Sequence, residues 1–350
     1  MNTGLCSRLH SNGWLRLIVL LILFTSSGIA LAERHTSRGV GFYFDQDLLL
    51  PYVNDDRDYT MGLAMEFFWA KEDGIYPLDG LVGKVGRWMG LGRRDDDVVT
   101  SFILGSVNFT PDDLSNPRPI LTERPYASLL YLGNKRVRAG KTGAVAAEVL
   151  VGILGSDVAA KTQSTVHGWY RSLANSTEPV DPQGWDNQIS DGGELTTRLR
   201  FSNSRLRAES SGRWDVATTW AVSLGYQTNV SLGVSARLGQ LGSSFWSIPF
   251  DPVNRGSFLP SLSSDEWYFW TAYRIRLVAY DALLQGQFRD SRVKFSSNEI
   301  EQILHEGAVG ATLSLGKTQF TFAMNAKSAE LKHAERRSHF WGSFNVIHHF

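Results

Sequence analysis

Thr60-Met61-Gly62-Leu63-Ala64-Met65-Glu66-Phe67-Phe68-Trp69 is the stretch that decides the fold. Met61, Leu63, Met65, Phe67 and Trp69 fall on one parity; Thr60, Gly62, Ala64, Glu66 and Phe68 fall on the other. A period of two with one strongly apolar face is the mark of a β-strand. A row of Met, Leu, Phe and Trp opposite Gly, Ala and Glu fits a strand with hydrocarbon on one side and a polar interior on the other. Upstream, Val40, Phe42 and Phe44 alternate with Gly41, Tyr43 and Asp45.

The alternation recurs along the chain. Further strands are expected near Val99–Phe109, Pro125–Arg138, Gly143–Leu154, Glu194–Phe201, Trp214–Gln227 and Asn229–Leu241. The remainder lie near Trp267–Leu284, Gly307–Gly316, Gln319–Lys327 and Ser338–Phe350. That makes about twelve, an even number, as bacterial barrels require. Arg198 and Arg200, and later Arg274 and Arg276, occupy the less apolar parity of their strands, where they would face water in a sandwich or the lumen in a barrel. The chain ends on Phe350, with Phe340, Phe344 and Val346 on the same parity. This is the form of a terminal strand handed to the outer-membrane assembly machinery. The fold expected is an all-β, antiparallel transmembrane barrel. Ala159–Leu173 lacks alternation and reads as a short helix within a loop; Leu78–Arg94 and Gly242–Asp265 read as loops.

The amino terminus sets the compartment. Arg8 and Arg16 flank or enter the apolar run Leu17–Phe24, and Ala30-Leu31-Ala32 closes it. A basic region, an apolar core and an A-x-A site make a secretory signal peptide, residues 1–32, cleaved after Ala32. The apolar run is too short to span a bilayer, which takes roughly 20 residues. The mature chain, 33–350, loses two basic residues and no acidic one, so 33 basic residues face 35 acidic ones, a net charge of −2. That balance gives no sign of a nucleic-acid partner. Cys6, the single cysteine, leaves with the leader, so disulfides and thiolate metal sites are excluded. With no internal repeat, one domain is expected, as a monomer in the outer membrane.

No G-x-S-x-G elbow, H-E-x-x-H or P-loop is present. The informative residues are polar groups at strand ends. Asp45-Gln46-Asp47 closes the first strand, and Asp56–Gly62 leads into the second. Strand parity puts Asp45, Asp47 and Thr60 on the lumen face. Acidic loops are also ordinary turn chemistry. Gln163 and His167, four apart, share a helix face. Histidine is the commonest general base, though most lone histidines are structural. Pro182–Gln188 reads as a loop with a tryptophan anchor, which would equally suit a rim tryptophan at a membrane interface.

In order along the chain, several of these pieces resemble the outer-membrane lipid A 3'-O-deacylase family. They are Phe44-Asp45-Gln46-Asp47, Asp58-Tyr59-Thr60-Met61-Gly62, Phe109-Thr110-Pro111-Asp112-Asp113 and Arg124-Pro125-Tyr126-Ala127. Gln163-x-x-x-His167, Pro182–Gln188 and Val278–Gly286 complete the series, so the likeness runs from about Gly39 to Phe350. The resemblance implies a twelve-stranded barrel with its site between the wall and the outer leaflet. It implies calcium-dependent hydrolysis of the ester carrying the 3'-acyloxyacyl group of lipid A. His167 then corresponds to the catalytic histidine, Thr60 to an active-site hydroxyl, and Asp47 to the calcium-associated acid. Gln46 joins the catalytic set where the family usually has asparagine. The family's glutamate after the histidine falls on Leu173 here, and Glu178 is the nearest later candidate for the metal. Two other functions remain open on the residues alone: a phospholipase-type esterase, and a pore or scaffold without activity.

Overall fold

The computed structural model describes residues 38–50, 58–70, 84–85, 87–88, 97–174, 180–248, 266–332 and 337–350. The expected leader, residues 1–32, lies outside the described residues, as does Glu178. Twelve strands form one closed antiparallel barrel. They are β1 (Arg38–Gln46), β2 (Asp58–Ala70), β3 (Asp97–Thr110), β4 (Ala127–Ala139), β5 (Gly143–Leu154) and β6 (Glu194–Ser210). Then follow β7 (Trp214–Gly225), β8 (Gln227–Gln240), β9 (Glu266–Asp281), β10 (Ile303–Leu315), β11 (Thr318–Lys327) and β12 (His339–His349). Each strand pairs with its sequence neighbours, and β1 closes on β12 from Gly39↔His349 to Gln46↔Gly342. Closure leaves no edge, the condition a strand structure must meet in hydrocarbon. No helix among the described residues is long and apolar enough to cross a membrane.

Among the described residues, α1 (Val158–Ala174) stands where the loop helix was expected and α2 (Ala282–Gln285) follows β9, while 84–85 and 87–88, in a segment expected to be a loop, are also helical. The expected strand Trp267–Leu284 stops at Asp281, whose side chain accepts from Leu283 N at 3.0 Å and caps α2. The other large difference is β6, expected to end near Phe201 and found to continue to Ser210. Beyond Arg205 it pairs only with β7, around a bulge between Leu206 and Ala208, so this part is a hairpin projecting past β5. Its residues, Ser202 to Ser210, are mostly polar and carry no apolar stripe, which is why their parity is mute.

The two faces differ as the alternation implies. Outward positions carry Leu63, Phe67, Phe102, Leu104, Leu132, Leu199, Leu232, Phe269 and Leu277, all exposed. Inward positions hold buried Tyr43, Glu66, Phe68, Tyr131, Glu148, Arg198, Arg237, Arg274 and Arg276. Because a one-residue slip would exchange these sets, the pattern pins the register. The interior charges are paired: Arg198 with Glu148, Arg237 with Asp215 at 2.5 Å, and Arg274 and Arg276 with Glu306 at 2.5 and 3.0 Å. Buried ions need such partners to offset their desolvation.

The start of β1 and the end of β12 meet at one end of the barrel, where the Arg38 carbonyl accepts from Phe350 N at 2.9 Å. The opposite end carries the segments after β1, β3, β5, β9 and β11, and is called the loop end below.

Candidate functional site on the outer wall

At the loop end of β2 the ladder loses step. Tyr59 pairs with Phe109 and Met61 with Asn108, so Thr60 is the extra residue of a β-bulge. A bulge turns side chains off their regular faces. Tyr59 therefore points inward: its hydroxyl donates to Asp45 Oδ2 at 2.9 Å, and its ring packs on Phe109 and Trp341 at 5.3 and 5.2 Å. Gly62 makes room for it, since a Cβ there would lie 1.9 Å from the Tyr59 hydroxyl. Thr60 is displaced from the lumen position that parity gave it. Its hydroxyl lies 2.6 Å from that of Thr110, which shares the outward parity of β3 with Phe102 and Leu104. Thr60 thus belongs to the outer wall.

Thr60 and Thr110 are part of a band. Near mid-wall the outward residues are apolar and open: Leu63 is 41% exposed, Leu104 46% and Leu132 64%. At the loop end the same parity carries Gln46 on β1, Asn108 and Thr110 on β3, and Ser128 on β4. There Thr60 is 3% exposed, Asn108 4%, Thr110 0% and Ser128 1%. Polar residues on the lipid-facing wall are buried only if other chain covers them. From one side the single turn Asp47–Leu49 folds outward across Gly342 of β12, where a Cβ would lie 2.4 Å from that of Leu49. From the other side Ser128 Oγ lies 3.0 Å from Gln188 Oε1 and 3.2 Å from the Ser156 carbonyl, so the long β5–β6 loop closes over β4.

That loop contains α1. Ala159, Gln163 and His167, spaced by four, form its buried face; Lys161, Thr165 and Trp169 face out. Gln163 Oε1 accepts from the Trp185 indole at 3.0 Å, and Trp185 packs on Tyr126 at 4.9 Å, just ahead of β4. Leu114 and Ala159 complete this apolar anchor. His167 Nδ1 lies 2.9 Å from the Val180 carbonyl oxygen. A carbonyl only accepts, so Nδ1 carries the proton of this hydrogen bond. Arg171 pairs with Asp181 at 2.8 Å, tying α1 to the same returning segment.

Inside the barrel, below this band, a charged knot joins the loops. Arg337 reaches Asp58 at 2.9 Å, Asp112 at 3.6 Å and Glu123 at 4.0 Å, while His339 Nδ1 lies 3.3 Å from Asp58 Oδ2. Arg124 pairs with Glu330 and stacks 3.7 Å from the Phe109 ring. Burial pulls its guanidinium down to about 10, against the pull of Asp281 and Asp58, so it stays charged at neutral pH. The knot holds Asp58 at a φ of 64°, the start of the strand that bulges at Thr60.

Of the residues singled out in the sequence, Gln46, Asp47 and Thr60 come together at the adjoining ends of β1 and β2, where Gln46 faces Met61 across the ladder. His167 and Gln163 occupy the buried face of α1 at the same end. Glu178 falls outside the described residues. Asn108, Thr110 and Ser128 were given no role in the sequence. Their signal was present: along β3 the outward parity runs Phe102, Leu104, Ser106, Asn108, Thr110, apolar and then polar.

Among the described residues no three His, Cys, Asp or Glu side chains group as metal ligands. The donors that are present suit a hard cation in kind. Gln46 Oε1 is buried without a hydrogen-bond partner among the described residues, and the neighbouring Asp47 is 2% exposed. Oxygen-only donors are what calcium takes, completed by backbone and water oxygens.

A closed barrel with an apolar belt and a covered polar band on its outer wall defines an outer-membrane protein whose candidate site faces the lipid rather than the lumen. The sequence matches the family described as Outer membrane protein LpxR over residues 17–350, and the chain belongs to that family. Among solved structures, LpxR from Salmonella typhimurium superposes with a TM-score of 0.67 at 15% identity, covering 89% of this chain and 100% of that one. The translocator domain of the autotransporter NalP from Neisseria meningitidis gives 0.41 at 7% identity, covering 96% and 95%. No curated protein matches the sequence.

Proposed function

We propose that this protein hydrolyses the ester joining the 3'-acyloxyacyl group to lipid A, at the outer wall of the barrel and within the outer leaflet. The observation that carries the reading is the polar band on the lipid-facing side, with Thr60, Asn108, Thr110 and Ser128 buried and Gln46 half-buried beside them, at the end where α1 presents His167. A site on the wall receives a substrate that diffuses in the membrane plane; a lumen enzyme would take one from water. Membership of the LpxR family and the resemblance in motif order support lipid A as that substrate.

His167 Nε2 takes a proton from water, and the hydroxide adds to the ester carbonyl. The tetrahedral adduct collapses with cleavage of the bond to the sugar oxygen, which recovers the proton from the imidazolium. The products are a free acyloxyacyl acid and a 3-hydroxyl on the sugar. Val180 holds the ring in the tautomer this needs. Thr60, fixed by Thr110, orients the water. Asp47 and Gln46 would hold calcium, which supplies positive charge for the developing oxyanion.

The test is mass spectrometry of lipid A from cells making the protein or its His167→Ala variant. Loss of the 3'-acyloxyacyl mass with the first and not with the second is the expected result. Intact lipid A together with lysophospholipid would overturn the reading in favour of a phospholipase.

A further inference from the structure

The segment that returns from α1 to β6 is held by two other loops. Residues 183–190 are zipped to the β3–β4 loop at both ends: Gln183 N donates to the Leu114 carbonyl and Ile189 N to the Tyr126 carbonyl, each at 2.8 Å. Gly184 permits the close approach, since a Cβ there would lie 2.5 Å from the Tyr126 ring and 3.0 Å from the Asn116 carbonyl oxygen. The β9–β10 loop joins them through Ser291, whose Oγ accepts from Ser190 N at 2.9 Å.

Asn187 stands at this junction and is 3% exposed. Its Nδ2 donates to the Pro117 carbonyl of the β3–β4 loop at 2.9 Å, and its Oδ1 accepts from Arg292 of the β9–β10 loop at 3.2 Å. A carbonyl only accepts and a guanidinium only donates, so the two partners fix the amide's orientation and use both of its ends. Aspartate could serve Arg292 but has no donor for Pro117. The next residue, Gln188, reaches Ser128 of the polar band. Just ahead of Gln183, the Val180 carbonyl holds the His167 ring, and Asp181 pairs with Arg171 one turn further along α1. The ring is placed only as accurately as the carbonyl that holds it, and a misplacement of about 1 Å can cost 10²-fold in rate.

We propose that Asn187 is a positioning residue for His167: by joining three loops it fixes the segment that sets the place and tautomer of the imidazole. The role rests on the reading of His167 as the general base. The protein with isotope-labelled histidine, refolded in a non-ionic detergent, is followed by ring-nitrogen NMR in alkaline buffer, where imidazoles are neutral. The His167 signal is the one lost in His167→Ala, and in the parent it should show a protonated Nδ1. Asn187→Ala and Asn187→Asp should spread the proton over both nitrogens. Their kcat on lipid A should fall roughly 10–100-fold, with KM little changed. Arg292→Ala, at an exposed residue, should move the ring the same way, and Arg292→Lys, which keeps a donor, should restore the parent spectrum. Asn203→Ala removes another buried amide, bonded to the Ala144 carbonyl at 3.2 Å within the β5–β6 wall, and should leave His167 unchanged whatever it does to melting. Heat-modifiable gel migration checks that each barrel is folded. A His167 signal unmoved in folded Asn187→Ala or in Arg292→Ala overturns the role, and so does an equal change in Asn203→Ala, which would make the effect a general loosening. The expected spectra from a parent that releases no fatty acid would keep Asn187 as the residue that places His167 and sink the hydrolase reading alone.

Discussion

The hydroxyls of Thr60 and Thr110 lie 2.6 Å apart across the β2–β3 ladder, buried on the outer face of a wall whose mid-height residues, such as Leu63 and Leu104, are exposed. Each can satisfy the other, so Thr60 keeps a fixed orientation at the rim. Thr60→Val retains the shape and removes the hydroxyl. It should remove the hydrogen bond between the two hydroxyls, lowering stability by about 0.5–1.5 kcal/mol. Deacylation should fall by roughly ten-fold or more, in the range of a lost positioned hydrogen bond. Melting and released fatty acid are measured on the same preparation. Undiminished turnover would remove Thr60 from the site.

Gly62 tests the bulge itself. In Gly62→Ala the added methyl group would meet the Tyr59 hydroxyl at 1.9 Å and Asp45 Oδ2 at 2.9 Å. Tyr59 must then leave Asp45, and the bulge that turns Thr60 outward loses its inward anchor. The expected result is a folded barrel with reduced activity and a stability loss of about 1–3 kcal/mol. A variant that melts and turns over like the parent would show that the Tyr59–Asp45 bond does not hold the bulge.

Met65 tests the lipid-facing assignment. It shares its outward row with Phe42 and Leu104 on the flanking strands. Met65→Arg should impair insertion, because a lipid-facing arginine near the midplane costs about 2–4 kcal/mol. Glu66→Gln, the next residue, points inward to Tyr43 and should insert normally. Heat-modifiable migration after refolding into vesicles reports both; equal folding of Met65→Arg and the parent would contradict the register.

What the sequence disclosed follows from what parity can and cannot carry. Rows such as Leu63-Met65-Phe67 name both the strand and its face, because hydrocarbon and lumen impose opposite chemistries at a period of two. The second half of β6 was silent because its residues are mostly polar, and beyond Arg205 they pair only with β7 in a projecting hairpin. The placement of Thr60 inside the barrel failed for a different reason. A bulge inserts one residue without any compositional sign, and parity beyond it is inverted. The polar switch from Leu104 to Thr110 was legible, yet it acquires meaning only once neighbouring strands align the same switch at Gln46 and Ser128. The link between α1 and the wall runs through Trp185 and Tyr126, pairs distant in sequence that no local pattern connects.

Calcium is the remaining test of the proposed mechanism. Asp47 offers one carboxylate, and Gln46 offers an amide oxygen that is buried without a hydrogen-bond partner among the described residues. Calcium takes 6–8 oxygens at about 2.3–2.6 Å, so most of its shell would be backbone and water. A shell poor in carboxylates binds weakly, and the extra methylene of Gln46, relative to asparagine, moves its oxygen along the same vector. Chelation should therefore abolish fatty-acid release from lipid A in detergent, and calcium in excess should restore it. Gln46→Asn should shift the calcium titration to lower concentration. Asp47→Asn, which keeps the shape and removes the charge, should shift it the other way, by more than the Gln46 change. The barrel's gel migration should be the same in all three proteins, since neither residue is inside the apolar belt. Full activity in chelator would end the calcium mechanism and leave His167 as a base acting on water alone; a titration unmoved by either substitution would place the ion elsewhere.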